Sequence, residues 1–380
     1  MARPAIEDLS MQGVFHRFTV ATRHPERAEE HVSRMELFGV KPAIAQIDAH
    51  DHDALVALMR RHDVVCNLAG PNYRNAVPVA RAAIDAKVSL VDVSDDWEAT
   101  LGILDLHDAA AAAGITILLG LGASPGVTNV LARYGANQMG RVDEVRTSWI
   151  MRGSDAGGPA LAAHLLYSLP ARAFYYADGA MREVTPFVDG KEVITYPELG
   201  PVEVMHIGHP EPFTLGRFIK GIRYADDKAT FLPVEVNQML VDNWRLARSS
   251  RPVTVHGQQI DPMDFVASWL EQTCRRMTDV PQTGALRTEV RGIERGRPVR
   301  RIYSAVGRIG IGTGVPCAIG AQLIAAQSVT ARGVYPPEAA GVLDPELFLR
   351  AVEMRNIGAV EEEVLDWEIE APERTPLLAG

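Results

Sequence analysis

The 380-residue chain is poor in the features that mark several large classes of protein. It has three cysteines, Cys66, Cys274 and Cys317, an odd number with no Cys-x-x-Cys pair, so neither a disulfide framework nor a zinc site is indicated. Cys66 lies in an apolar run and Cys317 opens an apolar helix, which suits buried, inert thiols. No uncharged apolar run reaches the roughly 18 residues of a membrane span. The N-terminus MARPAIEDLS lacks the apolar core of a secretory signal, and a cytoplasmic protein is expected. Basic charge is not in excess: the net charge of −10 argues against non-specific nucleic-acid binding. G-x-S-x-G, Walker A, H-E-x-x-H and EF-hand patterns are missing, which removes sequence support for serine hydrolases, P-loop NTPases, zincins and EF-hand calcium proteins. One further absence is more pointed. No G-x-G-x-x-G lies upstream of the strand expected at Phe18–Thr22.

What is there reads as two domains, the natural prior for this length. Between Asp63 and Leu131 short apolar runs (Val64–Leu68, Val88–Val93, Ile115–Leu119) alternate with alanine-rich helical segments. That is the pattern of stacked βαβ units and a parallel sheet. Upstream, Phe18–Thr22 and Ala43–Ile47 read as strands, with helices over Glu26–Phe38 and Asp53–Arg61, the latter capped by Asp53. Asp95–Ala113 is expected as one helix. From Val142 the grammar changes to alternating, β-rich segments, with one helix over Pro159–Ala171, His209-Pro210-Glu211-Pro212 as a turn, and paired strands around ERGR. This is an α+β domain on an antiparallel sheet. An apolar helix, Gly312–Gln327, then plausibly returns to the first domain, followed by a second helix, Asp344–Ile357.

Ligands of open parallel sheets sit outside the carboxyl ends of the strands. Those ends carry Asn67-Leu68-Ala69-Gly70-Pro71, Asp92-Val93-Ser94-Asp95-Asp96 and Gly122-Ala123-Ser124-Pro125-Gly126. Thr22, Arg23 and His24 close the first strand without a carboxylate, and this corner suits the 2′-phosphate of NADP better than the ribose diol of NAD. Asp48 is read as lying near an adenine ring. The alternation Asp48, His50, Asp51, His52, Asp53 resembles a metal site in composition, but its spacing does not aim the side chains at one point, and no metal is expected. Small residues at Asn67–Gly70 let backbone approach a ligand next to a helix N-terminus. The loop Ser124–Gly126 places a hydroxyl and amides above the last strand. His209 and Glu211 are proton-handling side chains, with Tyr73 a further candidate. Asp95, Asp96 and Glu211 suit the stabilisation of a developing cation, and Arg152 and Arg217 suit the clamping of a substrate carboxylate.

The succession DVVCNLAGPNYRNAVPVARAAIDAKVSLVDVSDDW, GLGASPGVTNVLA, HPEPFTL and GVPCAIGAQLIAAQ…GVYPPE resembles the saccharopine dehydrogenase-like oxidoreductases, from about Thr19 to Ile357. The resemblance implies a Rossmann-type α/β domain (1–140, completed by helices in 312–380) around an inserted α+β substrate and dimerisation domain (141–311). It implies an NAD(P)-dependent oxidoreductase acting on a C–N bond of a small metabolite, with NADP as cofactor, NAD as the alternative, and a homodimer without nucleic-acid or membrane partners. By position it places Arg23 at the adenosine end, Asp48 and Ala49 at the adenine-side turn, and Asn67, Ala69 and Gly70 under the pyrophosphate and nicotinamide ribose. Ser94, Ser124, Pro125 and Gly126 fall at the nicotinamide pocket. The family's first strand and glycine loop are not found. Three explanations follow: a chain that continues upstream of Met1, a degenerate binding or regulatory relative, or a rearranged Met1–Val14 that fills the gap. A reductase of a non-amine substrate such as an enoyl lipid is a further alternative.

Overall fold

The computed structural model describes residues 1–34, 39–155, 158–249, 251–277, 283–358 and 360–367. Four short strands form a parallel sheet in the order Gly333–Tyr335, Thr116–Leu118, Ser89–Asp92, Val64–Asn67. Ser89–Asp92 is buried along its whole length, as the central position of a sheet covered on both faces requires. Small residues let helix Asn72–Ala86 lie close against this layer: Ala76, Ala80, Ala82 and Ala83 are fully buried. On the other face packs the helix Ile309–Ala325, which brings Cys317, Ile319 and Ala321 against Val91 and Leu118.

Thr19–Thr22 and Ala43–Gln46 pair in parallel as a separate two-stranded sheet. No hydrogen-bonded register joins them to Val64–Asn67 among the described residues, so the parallel layer is in two pieces. Met1–Val14 do not bridge the gap as a strand. Ala2–Met11 is a helix instead, and it packs on Ile309–Ala325, where Gly314 admits Met1 and Ala5 at contact distance. Asp8 ties this helix down by accepting from Gln322 Nε2 at 2.8 Å and Arg355 Nε at 2.7 Å.

The second body is a nine-stranded mixed sheet. Its backbone runs Val360–Asp366, Arg297–Gly307, Gly284–Glu294, Arg141–Arg152, Tyr224–Leu232, Gly200–His206, Glu192–Tyr196. The strands around ERGR pair antiparallel as expected, while Arg141–Arg152 and Tyr224–Leu232 run parallel. Helices Pro159–Ser168, Glu235–Ala247 and Pro262–Arg275 cover one face through a core that includes Trp149, Leu166, Phe231, Leu240 and Leu270.

Several expectations need correction. The segment Asp95–Ala113 is two helices, Trp97–Leu104 and His107–Ala112, because the chain turns at Asp105-Leu106. His209-Pro210 lead directly into a helix, Glu211–Phe218, with Pro212 in the first turn where its missing N–H costs nothing. Asp51, not Asp53, caps the helix His52–Met59, accepting from Ala54 N at 3.1 Å. The apolar C-terminal helix starts at Ile309, so Cys317 and Pro316 lie inside it. The segment after it does not only complete the first domain: Val360–Asp366 adds an edge strand to the large sheet, antiparallel to Arg297–Gly307. Residues 35–38 of the expected second helix and 368–380 lie outside the described residues.

Candidate active site

The carboxyl end of the strand Ser89–Asp92 faces the second body, and the site forms between them. Asp92 is fully buried; its oxygens accept from Asn67 Nδ2 at 2.6 Å and Ser94 N at 2.7 Å. Burial nevertheless pushes its carboxyl up to about 6. Asp95 and Asp96 follow. Asp95 accepts from Asn72 Nδ2 at 2.7 Å, and its other oxygen stands 3.2 Å from His164 Nε2. Asp96, at the N-cap of Trp97–Leu104, lies 3.1 Å from His164 Nδ1 and also accepts a very short bond from Ser168 Oγ. His164 and Ser168 lie on the same face of helix Pro159–Ser168, one turn apart, which is why one helix clamps both carboxylates. Burial opposes the imidazolium of His164, but the two carboxylates hold its proton well above the ordinary range.

A second cluster abuts the first. His209 Nδ1 lies 2.6 Å from Glu211 Oε2 and 3.3 Å from Asp227 Oδ2. Asp227 sits on the strand Tyr224–Leu232 and accepts from Thr147 Oγ1 at 2.6 Å and Trp149 Nε1 at 3.1 Å, both on the adjacent strand. Ser124 Oγ donates to Glu211 Oε1 at 2.6 Å and receives Thr128 Oγ1 at 3.3 Å. Gly126, at φ +133°, makes this loop possible, since a side chain there would collide with the Gly122 backbone. Burial opposes the charge on His209, yet Glu211 first, then Asp227 and Asp95, push it up to about 9. Asp227 is raised as well, which for a carboxyl favours the neutral form: burial and Glu211 hold it well above the carboxylate range.

These values carry a stability prediction. A histidine whose folded value lies above its ordinary 6.5 stabilises the fold fully below 6.5, and that contribution is lost as pH rises. The melting temperature is therefore expected to fall between pH 6.5 and about 9, followed by differential scanning fluorimetry. His209→Gln should flatten that decline, and an unchanged slope would show that His209 is not charged in the folded chain.

Asp95, Asp96, His209, Glu211 and Ser124 are thus brought together. Tyr73 stands at the edge, stacked on Tyr167 with ring centroids 3.7 Å apart, and burial raises its phenol, which suits a donor rather than a base. Arg152 is buried and pairs with Asp155 at 2.8 Å, while Arg217 is exposed at the far end of the helix that Glu211 begins. Arg308 instead lines an open, mostly apolar cleft whose walls include Ser124, Trp149, Leu286 and Ile309. His164, Asp227, Trp149 and Thr128 were not singled out as site residues. His164 and Asp227 carry a signal as titratable side chains within apolar elements of the second body. Each of the trios Asp95, Asp96, His164 and His209, Glu211, Asp227 has one donor atom per residue within 4.8 Å of the others, a spacing open to a cation. In both, the histidine already bridges two carboxylates.

The candidate cofactor residues lie along the carboxyl edges. Thr22 Oγ1 accepts from His24 N at 3.2 Å, and Arg23 and His24 are exposed at the end of Thr19–Thr22. Asp48 Oδ1 folds back on His50 N at 2.9 Å, with Ala49 half-buried beside it. Asn67 Oδ1 receives Ala69 N at 3.2 Å, and the carbonyls of Ala69 and Gly70 accept from Asn75 Nδ2 at 3.2 and 3.0 Å. Pro125 and Gly126 close the loop beneath Ser124. The buried Ser94 hydroxyl has no partner among the described residues, although it ends the central strand. A hydroxyl left unpaired there fits a cofactor that lies across the sheet edge.

Comparison with known proteins agrees. Residues 1–118 match the family model described as saccharopine dehydrogenase NADP binding domain. The chain is 24% identical over 336 residues to carboxyaminopropylagmatine dehydrogenase of Synechocystis sp., covering 81% of this chain and 82% of that protein. It is 25% identical over 367 residues to carboxynorspermidine synthase of Vibrio alginolyticus, covering 85% and 82%. Among solved structures, apo saccharopine dehydrogenase (L-Glu forming) of Saccharomyces cerevisiae superposes with a TM-score of 0.67 at 15% identity, covering 95% of this chain and 97% of the other. Residues 1–118 therefore match a saccharopine dehydrogenase-type dinucleotide-binding domain, the chain shares the fold of saccharopine dehydrogenase, and the protein is an NAD(P)-dependent oxidoreductase.

Proposed function

We propose that the protein reduces the imine formed between a carbonyl compound and a primary amine, one of the two bearing a carboxylate, or catalyses the reverse oxidation. The observation that carries this reading is the packing of Asp95, Asp96 and Glu211 around only two histidines, His164 and His209, in a buried site at the sheet edge. Such a site is short of positive charge, and an iminium or ammonium centre supplies it. Preorganised carboxylates in a dry site stabilise that charge far better than water does. When bound, the reduced cofactor supplies a hydride to the iminium carbon. The protein orients the substrate and manages one proton: His209, hydrogen-bonded to Glu211, protonates the imine nitrogen before reduction. The apolar cleft beside Ser124 and Trp149 suits an aliphatic chain, with Arg308 available to a terminal carboxylate. The names of the two relatives, both carboxylated polyamine compounds, support this class of substrate. The test is NADPH consumption with a panel of diamines paired with carboxylate-bearing aldehydes and keto acids, with the product identified by mass spectrometry. Consumption that is independent of the amine would sink the reading.

NADP is the proposed cofactor, on the strength of Arg23 and His24 where a carboxylate would otherwise select NAD. Arg23→Ala is expected to weaken NADPH binding roughly 10- to 100-fold and to leave NADH binding nearly unchanged. Equal effects on both, measured by fluorescence titration, would reject the NADP assignment.

A further inference from the structure

We propose that Asp95 is the carboxylate that meets the cationic nitrogen of the substrate, and that Asn72 is the positioning residue that aims it. This rests on the amine reading of the site, and it adds which acid makes the contact and what holds that acid in place. Three of the neighbouring acids are sealed: the side chain of Asp96 is 1% exposed, and those of Glu211 and Asp227 are 0%. The Asp95 side chain is 23% exposed. An incoming nitrogen can therefore touch Asp95 with the site as it stands, while the sealed acids act on it through their field.

Asp95 is held from both bodies of the protein. Asn72, the first residue of helix Asn72–Ala86, donates from Nδ2 to Oδ1 at 2.7 Å. His164 Nε2, on helix Pro159–Ser168 of the second body, stands 3.2 Å from Oδ2. The two holds differ in kind. Neither ring nitrogen of His164 makes a well-formed hydrogen bond among the described residues, so its imidazolium attracts Asp95 without fixing a direction. The directed bond is the one from Asn72. A carboxylate oxygen can accept two bonds, so both oxygens of Asp95 keep capacity for a ligand. Burial opposes the charge on Asp95, but His164 first, then His209 and Asn72, hold its carboxyl below the ordinary range. The acid is thus ionised and ready for a cation.

Asn72 also ties this acid to the cofactor side. It follows Pro71 at the end of the loop Asn67–Pro71, and Asn75 on the same helix donates to the carbonyls of Ala69 and Gly70 in that loop. The loop proposed to lie under the nicotinamide ribose and the acid proposed to receive the nitrogen therefore share one helix start. Hydride transfer needs its two reactants held in register, and a common anchor provides that.

Isothermal titration of the full chain with 1,4-diaminobutane, in the presence of NADPH, reads amine binding without turnover. Asp95→Asn and Asn72→Ala are each expected to weaken binding roughly 10- to 100-fold. The double variant should bind no more weakly than Asp95→Asn alone, because Asn72 acts through Asp95. Asn72→Leu nearly keeps the volume of the side chain and removes the donor without adding charge. It should lose as much affinity as Asn72→Ala, whereas a residue that only fills space would tolerate it, and it decides the matter even where Asp95→Asn fails to fold. Native affinity in Asn72→Leu, a double loss equal to the product of the single ones, or a native chain that does not bind the diamine would each overturn the inference; amine-dependent NADPH consumption would still leave the proposed reaction standing. If the diamine binds with the expected pattern but no carbonyl partner brings NADPH consumption, that reaction fails and the roles of Asp95 and Asn72 stand.

Discussion

Replacing Glu211 by glutamine is expected to lower turnover by about 10²–10⁴-fold with little change in cofactor affinity. The substitution keeps the side chain's size but removes its charge, and one of its two terminal atoms becomes a donor. Glu211 accepts from Ser124 and pairs with His209, both at 2.6 Å, so an amide satisfies at most one of them. His209 loses its strongest support and drops from about 9 toward its ordinary range. The acid needed to protonate an imine is then scarce at neutral pH. The measurement is a kcat–pH profile with the best amine and carbonyl pair, beside NADPH binding by fluorescence. Retained turnover with an unshifted profile would remove Glu211 from the mechanism.

His164→Ala is expected to have the largest effect on stability. It leaves Asp95 and Asp96 facing each other without the imidazolium between them. Removing one partner of a buried ion pair costs about 3–5 kcal/mol, because the remaining charge keeps its desolvation penalty. Asp96 retains Ser168 and Asp95 retains Asn72, which place the expected loss toward the lower end of that range. Urea unfolding of the single variant and of His164→Ala with Asp96→Asn forms the check. The double change should recover part of the loss, since neutralising Asp96 removes the repulsion that the first change exposes. Purely additive losses would show that His164 and Asp96 are not coupled.

Much of the parallel layer was legible because its cause is local. A strand buried on both faces is mostly apolar, and Val88–Val93 breaks its apolar run only at Ser89 and Asp92. The alanines of Asn72–Ala86 announce a helix that packs closely. Where the expectations failed, a tertiary contact had overridden a local pattern. HPEP carries two prolines and reads as a turn, but Glu211 and Pro212 are buried and drive a helix into the interface. Arg152 looked available to a carboxylate, yet an internal one, Asp155, is its neighbour.

By itself the sequence determined where the strands end and which side chains stand there: Asn67, Asp92, Asp95, Asp96, Ser124. Those follow from hydrophobic periodicity and turn chemistry, which act over a few residues. Only the tertiary structure decided which distant groups complete the site. His164 reaches Asp95 across 69 positions and Ser124 reaches Glu211 across 87. Asp227 meets His209 because two strands of the second sheet align Thr147 with it. Burial and charge pairing then set the proton affinities of His209 and Asp227. No periodicity records them, because the field at a side chain is set by everything packed around it.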